Sequence, residues 1–324
     1  LTRRKRPDPA RERLKAVGVV VGVVAVIVTL IVVLGDFGKR EEPANTEVIR
    51  VGPGPVSVAT ADGTVWVAHG GDSTVLGIDA ASREVTLGPT NLGERPGDLL
   101  VEDGTLWVGS IEGTSILRID AATGLVEGEP IEVGDTPKSL AFGGGYLWVA
   151  TFNDGSISKI DPGSGEVVDS FKTKAEFPAA VAWAGDSLWI ADVVGEDVVR
   201  YTPATEKEQV VRVGDGPTAI SAGEGAVFVA NFNDETVTKI DERTGEVVGQ
   251  SAPIGGDLGG LAVGGGSVWV TRAEDDFLFR LDADTMQPMG VPASVGDNPQ
   301  GVAVSGTTAW VANQASNSVT EVDF

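Results

Sequence analysis

The 324-residue chain has no cysteine and a single histidine, His69. Disulfides are therefore excluded, and so are the Cys and His ligand sets that hold zinc; a metal could be bound only by carboxylates, as Ca²⁺ or Mg²⁺. Basic residues are scarce: 24 Lys and Arg stand against 47 Asp and Glu, a net charge of -23. A convincing helical period is missing everywhere after about residue 40.

What the chain has instead is repetition. Trp66, Trp107, Trp148, Trp189, Phe228, Trp269 and Trp310 follow one another at intervals of 41, 41, 41, 39, 41 and 41 residues. Eleven residues before each stands Pro55, Pro96, Pro137, Pro178, Pro217, Leu258 or Pro299, and thirteen after each stands Asp79, Asp120, Asp161, Thr202, Asp241, Asp282 or Asp323. A unit of about forty residues repeated seven times is the dimension of a β-propeller blade. Within the third unit the spacing predicts strands over 137–142, 146–151, 156–161 and 166–171, separated by Gly143-Gly-Gly, Phe152-Asn-Asp-Gly and Pro162-Gly-Ser-Gly turns. The fold expected is all-β: a seven-bladed propeller of four-stranded blades over residues 46–324. The last unit ends at Phe324 with three strands, and Thr46-Glu-Val-Ile-Arg-Val-Gly resembles the fourth strands of other units. Pairing it beside 318–323 would close the ring and remove two open edges.

Ahead of the propeller, residues 16–35 carry no charge and are mostly Val, Ile and Leu. Twenty such residues in a helix cross a hydrocarbon core of about 30 Å, so one transmembrane α-helix is expected there. Arg3, Arg4, Lys5, Arg6, Arg11, Arg13 and Lys15 precede it, against Lys39 and Arg40 close behind, which places 1–15 in the cytoplasm and the propeller outside the cell membrane. Residues 36–45 read as a polar linker. Gly18 and Gly22 form a small-xxx-small pair through which two such helices could approach as a homodimer.

Residues 1–34 hold seven basic and two acidic side chains, so the total of -23 leaves -28 for the remainder. An outer part so acidic lacks the basic surface that nucleic acids or anionic lipids require. The chain also begins at Leu1, abruptly and in a basic segment, which suggests a piece of something longer, its upstream part cytoplasmic.

The repeats Leu147-Trp-Val-Ala-Thr-Phe-Asn-Asp-Gly-Ser-Ile-Ser-Lys-Ile-Asp and Val227-Phe-Val-Ala-Asn-Phe-Asn-Asp-Glu-Thr-Val-Thr-Lys-Ile-Asp resemble the YVTN-type propeller repeat, shared with virginiamycin B lyase-like proteins. The order of basic segment, single span and external propeller is similar to the outer half of bacterial transmembrane serine/threonine kinases. That resemblance implies a sensor, with a kinase upstream. The lyase resemblance implies a catalytic histidine beside a carboxylate-held magnesium that breaks a cyclic peptide ester. His69, however, occupies a second-strand end where other units have Ser110, Thr151, Asp192, Asn231, Arg272 and Asn313, and no oriented partner for a base is evident.

Other motifs read as structure. Asp36-Phe37-Gly38 lacks the accompanying kinase signatures. Gly143-Gly-Gly and Gly264-Gly-Gly precede neither Lys-Ser/Thr nor a helix and read as hairpin turns. The acidic turns Asn153-Asp154, Asn233-Asp234 and Glu274-Asp275-Asp276 read first as turn formers, and the repeated Asp after each third strand as a cap. The aromatic stripe, with Trp183, reads as interblade core. Function is then sought where the units disagree. His69, Arg95, Lys138, Asp192, Asn231, Arg272, Gln300 and Asn313 are expected at one rim of the channel as a binding surface for an extracellular ligand or protein. Neither a cofactor nor a catalytic residue is expected.

Overall fold

In each repeat the β-branched and aromatic runs are short, and the residues between them tolerate positive φ. In the third, Pro137–Gly143, Tyr146–Thr151, Ser156–Ile160 and Val167–Phe171 hydrogen-bond in that order as an antiparallel sheet. Gly144 and Gly145, both at positive φ, make its first hairpin. Asp161 makes its last, accepting the N–H groups of Gly163 and Ser164 at 2.9 Å. Asp79, Asp120, Asp241 and Asp282 cap the matching turns in the same way. These hydrogen bonds hold all five carboxyls below the usual aspartate pKa. The reading of these residues as turn caps holds.

The computed structural model describes residues 45–324. The expected cytoplasmic arm, the span with Gly18 and Gly22, and all of the linker but Asn45 lie outside the described residues. Among the described residues no helix is long and apolar enough to cross a membrane. They form seven four-stranded sheets, the seven blades expected. In the sixth, the outer strand shrinks to Ala293–Ser294 where Pro288 and Pro292 supply no backbone donor.

Closure follows the expected pairing, starting one residue earlier. Asn45–Arg50 runs antiparallel to Ser318–Asp323, with Thr46 opposite Val322 and Arg50 opposite Ser318. It supplies the outer strand of the last blade. Seven buried clusters, one at each seam between neighbouring blades, make up the core, including the seam where Trp310, Ala312 and Val319 meet Val58, Val67 and Ile78. All seven repeat aromatics are at most 2% exposed.

A second device recurs beneath them. The residue across from the aromatic on the third strand is Lys159, Arg200, Lys239 or Arg280 in blades three to six, and each cation lies within 6 Å of its ring centroid. The last blade breaks the series with Glu321, which faces Trp310 and pairs instead with Arg83 of the first blade. An ion pair thus latches the seam at which the chain closes.

Candidate ligand-binding site at the channel mouth

The channel wall is built by a bulge repeated in all seven innermost strands. Register slips immediately after Pro55, Pro96, Pro137, Pro178, Pro217, Leu258 and Pro299. A bulge re-aims the residue it inserts. The residues next in sequence are Val56, Gly97, Lys138, Ala179, Thr218, Gly259 and Gln300, and together they ring a cavity of about 410 Å³. Gly97, Ala179 and Gly259 are the gaps in that ring. Cavities of this size suit small molecules.

Of the eight rim residues expected from the sequence, Arg95, Lys138 and Gln300 reach this cavity. Arg95 is held by Glu112 at 3.3 Å. Gln300 donates to Asn298, which donates in turn to Gln314. Among the described residues Lys138 has no ion-pair or hydrogen-bond partner; its ammonium lies 4.6 Å from the centre of the Phe152 ring. Burial alone pulls its pKa below the usual lysine value.

The other five are not on an open rim, and this corrects the expectation. His69, Asn231 and Asn313 are completely buried and Asp192 nearly so. Each side chain lies against the loop that enters its own blade's innermost strand, at Gly52, Glu176, Gly214, Ile254 or Gly296. His69 lies beneath Gly52, where a Cβ would stand 3.2 Å from the ring, and its Nδ1 is 3.3 Å from the Thr74 hydroxyl. Burial lowers its pKa, against a smaller upward pull from Asp72 and Thr74. Asn231 donates to Thr236 and Thr238, as Asn313 does to Ser318 and Thr320. Asp192 accepts the N–H groups of Glu176 and Phe177 from the adjoining loop. Arg272 donates to the carbonyl of Ile254, pairs with Asp275 and covers the Phe279 ring at 4.4 Å.

The acidic turns are latches of the same kind. Asp154 accepts the N–H of Asp135 at 2.7 Å, Asp234 that of Asp215 at 2.8 Å, and Asp276 that of Asn298 at 2.8 Å. Among the described residues no group of three carboxylates or histidines is placed to hold a metal ion.

Sequence reasoning missed Asp98. It follows the bulge in the second blade, faces the cavity, and ties three blades together. It accepts from Leu140 N–H at 2.9 Å and from the Ser139 hydroxyl at 3.2 Å, and that hydroxyl accepts the N–H of Val181 at 3.2 Å. Burial pushes the Asp98 carboxyl up to about 6, against the opposing pull of its hydrogen bonds to Leu140, Leu99 and Ser139. Also missed was an apolar arc above the cavity. Phe152, Phe177, Val193, Val194 and Phe232 stand on the mouth loops of blades three to five, with Phe177 and Phe232 about 40% exposed and Val194 66%. The signal for both was positional: one or two residues after the repeat proline for the wall, one after the second strand for most of the arc.

No family model matches this chain, and no curated protein does. Its fold is similar to that of virginiamycin B lyase from Staphylococcus aureus, at 16% identity over 87% of this chain and 99% of that one, with a TM-score of 0.76. It is equally similar to the RRP9 WD40 repeats, at 13% identity over 87% and 99%, again with a TM-score of 0.76. Kuenenia stuttgartiensis hydrazine synthase matches at 20% identity over 84% and 96%, with a TM-score of 0.74. At these identities the likeness carries the fold alone.

Proposed function

We propose that this chain is a membrane-anchored extracellular binding propeller, the sensor half of a bacterial serine/threonine kinase. It would take a ligand or protein partner at the channel mouth over blades three to five. The observation that carries the binding reading is the contrast between Lys138 and His69. Lys138 reaches the cavity with no ion pair or hydrogen bond among the described residues, whereas the only histidine is buried beneath Gly52 as a loop support. A general base must reach its substrate, and His69 has no exposed surface from which to do so. Anchoring rests on the charge-free run 16–35 and the basic residues before it, and the kinase assignment on the order of segments described above.

The likeness in fold to virginiamycin B lyase keeps an anchored lyase-like enzyme as the second reading. One comparison separates the two. The full chain is incubated with a cyclic depsipeptide of the streptogramin B type and followed by mass spectrometry, beside a His69→Ala variant whose folding is checked by circular dichroism. The binding reading expects an intact ring with either protein. Ring opening that disappears in a folded His69→Ala protein would replace it with the enzyme reading. Location is tested separately: protease added outside intact cells should degrade the propeller and spare residues 1–15.

A further inference from the structure

The polar groups around the channel are not equally committed. In blades two, six and seven Arg95 pairs with Glu112, Arg272 with Asp275, and Gln300 with Asn298. Among the described residues two members of the wall have no such partner: the Lys138 ammonium lies over the Phe152 face, and the Thr218 hydroxyl makes no hydrogen bond. An unpaired cation in a half-buried place is unusual in a chain with roughly two acidic residues for each basic one.

Directly above the sector from Lys138 to Thr218 stands the apolar arc. Phe152 and Phe177 lie 6.0 Å apart between ring centres. Phe177 precedes the wall residue Ala179 by two positions, and the N–H of Phe232 is bonded to the carbonyl of Gly216, two positions before Thr218. Each blade of the sector thus presents a wall residue below and an apolar side chain above, with Lys138 at one end. An exposed aromatic group beside an unpaired ammonium complements a molecule with one apolar and one anionic end.

Building on the binding reading above, we propose that this sector binds a small organic monoanion, an aromatic or branched carboxylate, with its carboxylate on Lys138 and its apolar group against Phe152 and Phe177. One negative charge is favoured over two. Lys138 offers a single point charge with no Arg fork beside it, and the surrounding loops carry Asp135, Asp154, Glu176, Asp215 and Asp234, which oppose any further anionic group. The gap that Ala179 leaves in the wall gives the carboxylate room beside Lys138.

The test uses the full chain in lipid nanodiscs, with 3-phenylpropionate, its neutral amide and phenyl phosphate as probes, measured by equilibrium dialysis. Saturable binding of the carboxylate is expected, with the amide and the doubly charged phosphate about tenfold weaker or worse. Lys138→Met should weaken the carboxylate about tenfold and leave the amide unchanged, Lys138→Arg should restore part of the loss, and Phe177→Ala should weaken acid and amide alike. Equal binding of acid and amide overturns the proposal, as does unchanged carboxylate binding in a folded Lys138→Met protein. So does the absence of saturation up to about 10 mM, a range that still detects very weak complexes. Each of these results leaves the broader binding reading standing if another molecule binds the mouth. Histidine-dependent ring opening would remove that broader reading without any of them.

Discussion

Trp148 shows how much a single position can hold. Its ring is buried, its Nε1–H donates to the carbonyl of Gly143 at 2.9 Å, and it stacks on Trp183 at 5.8 Å with an interplanar angle of 18°. Tyr146, Phe171 and Tyr201 meet the same ring edge-on. Trp148→Ala should cost roughly 3–5 kcal/mol, read as a shift in the urea midpoint. Gly143 explains why Trp183 has room: a Cβ there would lie 1.9 Å from the Trp183 ring. Gly143→Ala should therefore force that ring aside at a cost of about 1–3 kcal/mol, although it adds only one methyl group. A Gly143→Ala protein as stable as the parent would refute this account of the glycine.

Asp98 makes stability depend on pH in a direction opposite to the turn aspartates. Its folded pKa, about 6, stands above the ordinary 3.8, so the folded protein holds the proton more tightly than the unfolded chain does. The contribution of this group is full below about pH 4 and is lost as pH rises through 6. The five capping aspartates have lowered values, and their contribution is lost as pH falls below the ordinary carboxyl range. Between pH 7 and pH 5 the Asp98 effect acts alone among these six, and His69, whose pKa burial lowers, opposes it as pH falls through the ordinary histidine value. Relative to the parent, Asp98→Asn should therefore shift the change in unfolding midpoint from pH 7 to pH 5 toward loss while lowering the absolute value, since an amide cannot accept all three hydrogen bonds. An identical pH profile in the variant would contradict the assignment.

At the scale of the strand, most of what matters was legible in the sequence. Hairpin turns, the aromatic stripe and the strand that closes the ring each depend on local residue chemistry, which repetition displays seven times over. The site was legible only in part, for a physical reason. Variation among repeats marks positions freed from a common residue type, but at the second-strand ends it records different ways of propping a loop. Asn231 and Asn313 are such props, buried and bonded to neighbouring hydroxyls. The bulges that direct Lys138 and Asp98 toward the channel leave no residue signature beyond the proline before them. Closure itself is testable at this scale. Deleting residues 46–52 from the full chain removes the strand paired with Ser318–Asp323 and exposes its edge, so the protein should melt earlier and aggregate. Arg83→Ala should destabilise the same seam more mildly than the deletion, because Arg83 is half exposed although Glu321 is buried. A deletion variant as stable and monodisperse as the parent would show that the ring does not need its closing strand.

The whole molecule is governed by its charge. With -28 carried by everything after residue 34, the propeller repels itself and repels any anion that approaches. That field reaches about 30 Å at 10 mM salt and about 8 Å at 150 mM, so sodium chloride over this range should raise the melting temperature. It also separates two kinds of partner. A cationic protein would be drawn in by the field, and its association rate should fall steeply as salt screens it. A small carboxylate reaching Lys138 must cross the same field against its sign, whereas its contact with the ammonium, made at a few ångströms in a half-buried place, is screened far less. The long-range repulsion is the component that salt removes, so carboxylate affinity should hold or tighten between 10 and 150 mM sodium chloride. Dialysis of 3-phenylpropionate across that range checks the sign. Steep weakening would mean that the binding energy comes from long-range attraction, which an acidic propeller can offer only to cations.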